Sequence, residues 1–167
     1  IIDTRNWYES KIGRFKNALT PHIENFRDWP GFVDQIEDLK DKTVITYCTG
    51  GIRCEKASAV MVEKGFKDVW QLDGGIVSYL HKYPDTYWEG GMFVFDNRRV
   101  VEVNTKEELK HVAQCEHCGK PTSKYINCHN LICDRIFVCC EDCRKEMDYS
   151  CSEECMKSPH RRSKYYD

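Results

Sequence analysis

Thr43-Val44-Ile45-Thr46-Tyr47-Cys48-Thr49-Gly50-Gly51-Ile52-Arg53-Cys54 is the stretch on which the fold turns. Asp41 and Lys42 give a polar turn, and the β-branched run that follows to Tyr47 reads as a buried strand. Beyond the glycines, Cys54 to Glu63 sets Ala57, Val60 and Met61 on one helical face. A cysteine between such a strand and helix stands outside the carboxyl edge of the sheet, where α/β folds place ligands. Two glycines let the backbone curl with its N–H groups inward, and the helix aims its positive end at the same spot. Cys48 is therefore the candidate catalytic residue, and Thr49, Gly50, Gly51, Ile52 and Arg53 form its loop. The amides, with Arg53 close by, should lower the thiol pKa and would equally stabilise a terminal persulfide anion on Cys48.

Outward from this stretch, Ile1-Ile2-Asp3-Thr4-Arg5 reads as one further strand and Lys67-Asp68-Val69-Trp70-Gln71-Leu72 as another. Phe32 to Leu39, with Phe32, Ile36 and Leu39 on one face, reads as a helix, and Asp73-Gly74-Gly75-Ile76 turns into a short helix ending near Pro84. Strands alternating with helices argue an α/β fold with a parallel sheet flanked by helices. Arg5 and Glu9 read as an internal ion pair orienting the loop, Gly74 and Gly75 as turn residues, and Cys54 as a packing residue rather than a thiol that resolves a Cys48 persulfide. The chain starts inside a strand, so a fragment of a longer protein is expected. Three regions follow: an α/β domain over 1–90, a connector over 91–113 and a cysteine-rich module over 114–167. Within the connector, Met92-Phe93-Val94-Phe95 and Val100-Val101-Glu102-Val103 form a hairpin around Asn97, and Thr105 with Glu108 makes a capping box for a helix reaching about Ala113.

Among 167 residues, 25 basic and 27 acidic side chains nearly cancel, which excludes the global electropositive field that draws a protein onto nucleic acid without specificity. No apolar run of about 18 residues is present for a membrane span, and no signal peptide opens the chain. The eleven cysteines are unevenly spread, with nine of them between Cys115 and Cys155. The odd total and the spacing point to reduced thiols and metal, and so to a cytoplasmic protein.

Cys115-x2-Cys118, Cys128-x4-Cys133, Cys140-x2-Cys143 and Cys151-x3-Cys155 make four pairs, enough for two structural zinc sites. An interleaved arrangement is expected, with Cys115, Cys118, Cys140 and Cys143 on one ion and Cys128, Cys133, Cys151 and Cys155 on the other. A sequential arrangement competes with it. Cys139 is left over, and His117, His129 and His160 read as solvated or supporting rather than as ligands. Arg161, Arg162 and Lys164 at the tail are candidates for a phosphate contact, although a short charged end is more often solvated.

Asp3-Thr4-Arg5 with Tyr8-Glu9, the loop from Cys48 to Arg53, and Leu72-Asp73-Gly74-Gly75-Ile76 before Tyr79 resemble the rhodanese family over roughly residues 1 to 83. Four residues separate Cys48 from Arg53. Phosphatases on related sheets have a larger ring, which suits phosphate rather than sulfur. Asp3-Thr4-Arg5-Asn6, Lys11-Ile12-Gly13-Arg14-Phe15, Cys48 through Ala57, Trp88-Glu89-Gly90 and Phe93-Val94-Phe95-Asp96, followed by paired cysteines, are similar to the rhodanese-domain tRNA uridine hydroxylases. That resemblance implies oxygen-dependent conversion of the wobble uridine of tRNA to 5-hydroxyuridine, with molecular oxygen as co-substrate, Cys48 as the essential cysteine and a further domain ahead of Ile1. Gly90-Gly91-Met92 lacks the cysteine that the family usually carries there. The residues alone suggest another activity, sulfur transfer from a small sulfur donor through a Cys48 persulfide, and a non-catalytic interaction module is the third reading. Neither a two-histidine, one-carboxylate iron site nor a flavin or nicotinamide fingerprint is present.

Overall fold

The computed structural model describes residues 1–103, 106 and 110–163, and divides into two compact units, Ile1–Lys110 and His111–Asp167. The first opens with strand β1 (Ile2–Asp3), helix α1 (Trp7–Ile12) and strand β2 (Gly13–Phe15). Helix α2 (Trp29–Val33) then runs into a 3-10 stretch, Asp34–Leu39, with non-helical backbone at Ile36. One continuous helix over Phe32–Leu39 was the expectation from periodicity. The break lets Trp29, Val33 and Ile36 share one core, so packing overrides the local pattern.

Strand β3 (Thr43–Tyr47), helix α3 (Ile52–Glu63), strand β4 (Asp68–Gln71) and helix α4 (Gly75–Lys82) follow in the expected order. The sheet is parallel, β1-β3-β4, with Ile2 opposite Thr46 and Val44 opposite Val69. Along α3, Cys54, Ala57, Ser58 and Met61 are buried, the i, i+3, i+4, i+7 spacing of one helical face. One apolar cluster gathers Ile2, Trp29, Val33, Val44, Ala57 and Met61, and the Trp29 indole N–H reaches the Ala57 carbonyl at 3.1 Å. A second is centred on Phe15, whose ring meets Tyr47, Tyr79 and Trp88 edge-on at 4.8, 4.8 and 5.2 Å. Strand β5 (Trp88–Gly90) pairs antiparallel with β2, and β6 (Met92–Phe93) pairs with β7 (Val100–Val101) as the expected hairpin, shorter than its apolar residues suggested. The Thr105 and Glu108 capping box lies outside the described residues, and residues 110–113, where its helix was to end, are not helical.

In the second unit β8 (Tyr125–Asn127) and β9 (Ile136–Val138) form an antiparallel ribbon, followed by helices α5 (Glu141–Glu146) and α6 (Glu153–Met156). Its buried cluster is Ile126 and Phe137 with Cys115, Cys128, Cys139, Cys143 and Cys155. None of the described helices is long and apolar enough to cross a membrane.

Candidate functional site

Cys48 follows the last residue of β3, and its side chain is almost wholly buried at the floor of the loop. The Gly51 N–H donates to its sulfur at 3.1 Å. Gly51 adopts φ +92° and caps α3, a left-handed turn that brings the amides of the helix start round to the sulfur. Gly50 has no such need, since a Cβ there would meet nothing within 4 Å. The loop is completed by the neighbouring helix. Ile76 and Val77, in the first turn of α4, donate their N–H groups to the carbonyls of Cys48 and Thr49 at 2.9 and 3.1 Å. Gly75 makes this docking possible, because a Cβ on it would lie 2.5 Å from the Cys48 carbonyl oxygen and 2.7 Å from that of Thr49.

The Cys48 thiol is pushed down to about 5. The neighbouring Cys54 thiol is the largest cause; burial opposes it, and the amides of Cys54, Arg53 and Gly51 add to the lowering. Cys54 is fully buried, as its reading as a packing residue required, yet its sulfur also lies 3.7 Å from the Thr4 hydroxyl. Its own pKa is raised, first by the neighbouring Cys48 thiol, then by burial and the Cys48 charge.

Arg53 acts on this site chiefly through its backbone. Its guanidinium grips Glu9 with two hydrogen bonds, Nη1 to Oε2 at 2.5 Å and Nη2 to Oε1 at 2.8 Å. Glu9, fully buried on α1, also accepts from the Asn6 N–H at 3.3 Å. The expected Arg5–Glu9 pair is thus corrected to two separate pairs. Arg5 is fully buried and binds Asp3 two residues before it, with Nη2 to Oδ2 at 2.7 Å, and also reaches the Gly13 carbonyl at 2.7 Å. The exchange has a geometric reason: Asp3 and Arg5 flank the exit of β1, so a short bidentate link closes locally. Asp3 and Thr4 escaped the sequence reading as contributors, although they belong to the Asp3-Thr4-Arg5 motif that it singled out.

Eight of the nine cysteines of the second unit gather into two sets, Cys115, Cys118, Cys140 and Cys143, and Cys128, Cys133, Cys151 and Cys155. Within each set all the sulfurs lie within 4.8 Å of one another, and no cysteine is in a disulfide. Tetrahedral zinc with bonds of about 2.3 Å holds its sulfurs roughly 3.8 Å apart. Cys118 to Cys140, Cys133 to Cys151 and Cys151 to Cys155 are each 3.7 Å apart, so the donor sets fit such an ion. This grouping is the interleaved one, each set joining two pairs distant in sequence. Cys139 stands outside both, buried, with its sulfur 3.5 Å from the Cys140 carbonyl. Neither set contains a histidine: His117 meets the Ser150 carbonyl at 3.1 Å and His129 stacks on Tyr149 at 4.7 Å. The tail cations that were candidates for phosphate are engaged within the unit, Arg161 with Asp148 and Ser150 and Arg162 with Asp134, while Lys164 lies outside the described residues.

Residues 1–82 match the model of the rhodanese-like domain, and residues 89–156 match that of the rhodanase C-terminal region. The chain is 43% identical over 167 residues to a protein of Chlamydia caviae named tRNA uridine(34) hydroxylase, with 98% of this chain and 50% of that protein aligned. Proteins of the same name from Cytophaga hutchinsonii and Chlamydia muridarum are 45% and 44% identical, with 97% and 98% of this chain and 52% and 51% of theirs aligned. The chain spans about half the length of the curated relatives it matches. With the strand–Cys48 loop–helix unit closed by α4 and two matched regions that together cover most of its length, the chain belongs to the rhodanese-like domain family, in the form that continues into the rhodanase C-terminal region.

Proposed function

We propose that this chain is the rhodanese and cysteine-rich part of a tRNA-modifying enzyme that hydroxylates the wobble uridine to 5-hydroxyuridine, with molecular oxygen as co-substrate and Cys48 as the essential residue. The observation that carries the reading is the intact Cys48 loop in a chain 42–45% identical, over nearly its whole length, to proteins named for that activity. Cys48 is the reactive group because it is the sulfur held as a thiolate among amides, while Arg53 and Glu9 position the loop. Cys115, Cys118, Cys140 and Cys143 would hold one zinc ion and Cys128, Cys133, Cys151 and Cys155 a second. Both ions would be structural, since four thiolates leave no position for water. Cysteines free of disulfides and the proposed tRNA substrate support a cytoplasmic location.

Mass spectrometry of tRNA from a strain lacking the full-length protein tests this. Complementation with wild type restores 5-hydroxyuridine and Cys48→Ser does not. Unchanged tRNA in the deletion strain would sink the reading. A second reading, sulfur transfer from a small persulfide or thiosulfate donor, draws support from the same amide cradle, which suits a terminal persulfide anion. Its mark is a +32 Da adduct on Cys48 in the intact mass after incubation with the donor, the mass of one sulfur atom.

A further inference from the structure

The two cysteine sets are alike in burial, each with two buried members, one half-buried and one exposed. They differ in what lies across them. Beyond the last ligand of the second set the chain turns back, and residues 160–162 run antiparallel to 129–131, the backbone between Cys128 and Cys133. The Leu131 N–H donates to the His160 carbonyl at 2.8 Å and the Arg162 N–H to the His129 carbonyl at 2.9 Å. From this segment the Arg161 guanidinium donates to the Ser150 hydroxyl at 2.7 Å, to the Cys155 carbonyl at 2.8 Å and to the Asp148 carboxylate at 2.7 Å, and it also reaches the Asp148 carbonyl. The Ser158 hydroxyl meets Asn130 Oδ1 at 3.1 Å, while Asn130 Nδ2 donates to the Cys155 sulfur at 3.4 Å.

We propose that residues 158–162 are a strap that keeps the second set closed on its zinc ion, so that the two ions leave in a fixed order, the ion of the first set before that of the second. The strap rests on the zinc reading of the donor sets given above. Release from four thiolates goes sulfur by sulfur, and a sulfur held within reach rebinds before the next lets go. In the second set the strap joins every segment that carries a ligand. Its backbone holds the stretch from 128 to 133, and one guanidinium holds both Ser150, the residue before Cys151, and the Cys155 carbonyl.

The turn ahead of Cys151 gives the strap its leverage. Asp148 and Tyr149 sit at φ +45° and +56°, a left-handed pair that side chains other than glycine disfavour. Arg161 grips Asp148 by both its carbonyl and its carboxylate, which keeps this turn wound. Once the grip is lost the turn relaxes and carries Cys151 away from the other three sulfurs. The first set is spanned instead by the Lys120–Asp142 pair, whose side chains are 66% and 76% exposed, an ion pair too solvated to hold its ligands together.

The test uses the full chain loaded with two zinc ions, given excess EDTA and quenched at intervals with N-ethylmaleimide. Native mass spectrometry counts the ions and a peptide map locates the alkylated cysteines. Wild type is expected to pass through a one-zinc form alkylated at Cys115, Cys118, Cys140 and Cys143 and spared in the second set. The second ion should leave roughly tenfold or more slowly, because charge-assisted hydrogen bonds must break with it. Arg161→Ala is expected to speed the second release by roughly that factor while the first stays within about twofold of wild type. Arg161→Lys, which keeps the charge but not the fork, should fall between the two. Ser158→Ala, which frees only Asn130, should quicken the second release by a smaller factor, and it decides the matter if Arg161→Ala takes up fewer than two ions. A one-zinc form alkylated first on the second set, or on both sets alike, would overturn the strap, as would variants that keep the order and rates of wild type. Failure of the zinc reading looks different, since the purified chain would then hold no zinc to release.

Discussion

The two units solve the same folding problem with different material. In the first, Trp29, Val33, Val44, Ala57 and Met61 fill one cluster and Phe15, Tyr47, Ile76 and Trp88 another, so apolar burial stabilises the sheet. In the second, five of the seven buried members of the cluster are cysteines, and Ile126 with Phe137 is the aliphatic and aromatic remainder. That is too little apolar surface to offset the chain entropy of more than fifty residues, from His111 on, at roughly 1–2 kcal/mol each. The same element therefore serves opposite ends. Among the amides of the first unit sulfur is held towards its anionic form, and grouped in fours in the second it makes two donor sets that fit a metal ion.

The largest expected effect separates the units outright. A strong chelator should unfold the stretch from Cys115 to Cys155 while the sheet around Cys48 stays folded, because apparent zinc binding in small domains is worth about 10–16 kcal/mol. Limited proteolysis should then cut only beyond about Val112, and metal analysis before chelation should give about two zinc ions per chain. Protease resistance unchanged by chelation, or a first unit that melts along with the second, would break the contrast.

A smaller effect, confined to the first unit, is expected from Glu9→Ala. The variant strips the partner from a bidentate arginine whose own side chain is 23% exposed, so a loss of about 3 kcal/mol is expected, the lower edge for breaking a buried pair. Chemical denaturation followed by tryptophan fluorescence reports it, and a loss under about 0.5 kcal/mol, the range of a surface change, would reduce the pair to ornament.

Gly75→Ala comes next, with a cost of about 1–3 kcal/mol for its left-handed backbone and a further penalty for the crowded carbonyls. Its sharper readout is Cys48. With α4 pushed off the loop, the amides lose their aim and the thiol should react with iodoacetamide as an ordinary one. Alkylation followed against pH gives the subtlest effect. In wild type the midpoint for Cys48 should fall near 5, well under the ordinary thiol value of about 8.5. Because folding depresses this pKa, the ionised thiol adds stability above the ordinary thiol range, and that contribution fades as pH falls towards 5. Cys54→Ala should move the midpoint upward, since it deletes the largest cause of the shift.

Much of this was legible in the sequence because short-range signals agreed with the fold. β-Branched Thr43–Tyr47, the helical face of Ala57 and Met61, and the glycines at 74 and 75 each specify their element locally. Phe32–Leu39 misled because its periodicity is compatible with one helix, while the backbone at Ile36 answers to a core assembled from distant residues. The partners of Arg5 and Glu9 were exchanged for a related reason. Asp3, Arg5 and Glu9 lie close along the chain while Arg53 comes from α3, 44 residues beyond Glu9, and which pairs form depends on the fold that brings α3 to Glu9. Cysteine spacing can be read from sequence, but the contact of the Cys54 sulfur with the Thr4 hydroxyl cannot, since the two residues are far apart along the chain.

The docking of α4 on the Cys48 loop bears on how such a site could be moved between proteins. Two carbonyls of the loop are answered by N–H groups of Ile76 and Val77, beyond an intervening helix and strand, across a gap that only Gly75 leaves open. The six residues from Cys48 to Arg53 are thus half of a composite part and not a portable cassette. Grafted onto another strand–helix junction they would carry the cysteine and the arginine but not the template that sets the peptide planes. A transplant that included Leu72 to Val77 on an adjoining helix would carry both halves.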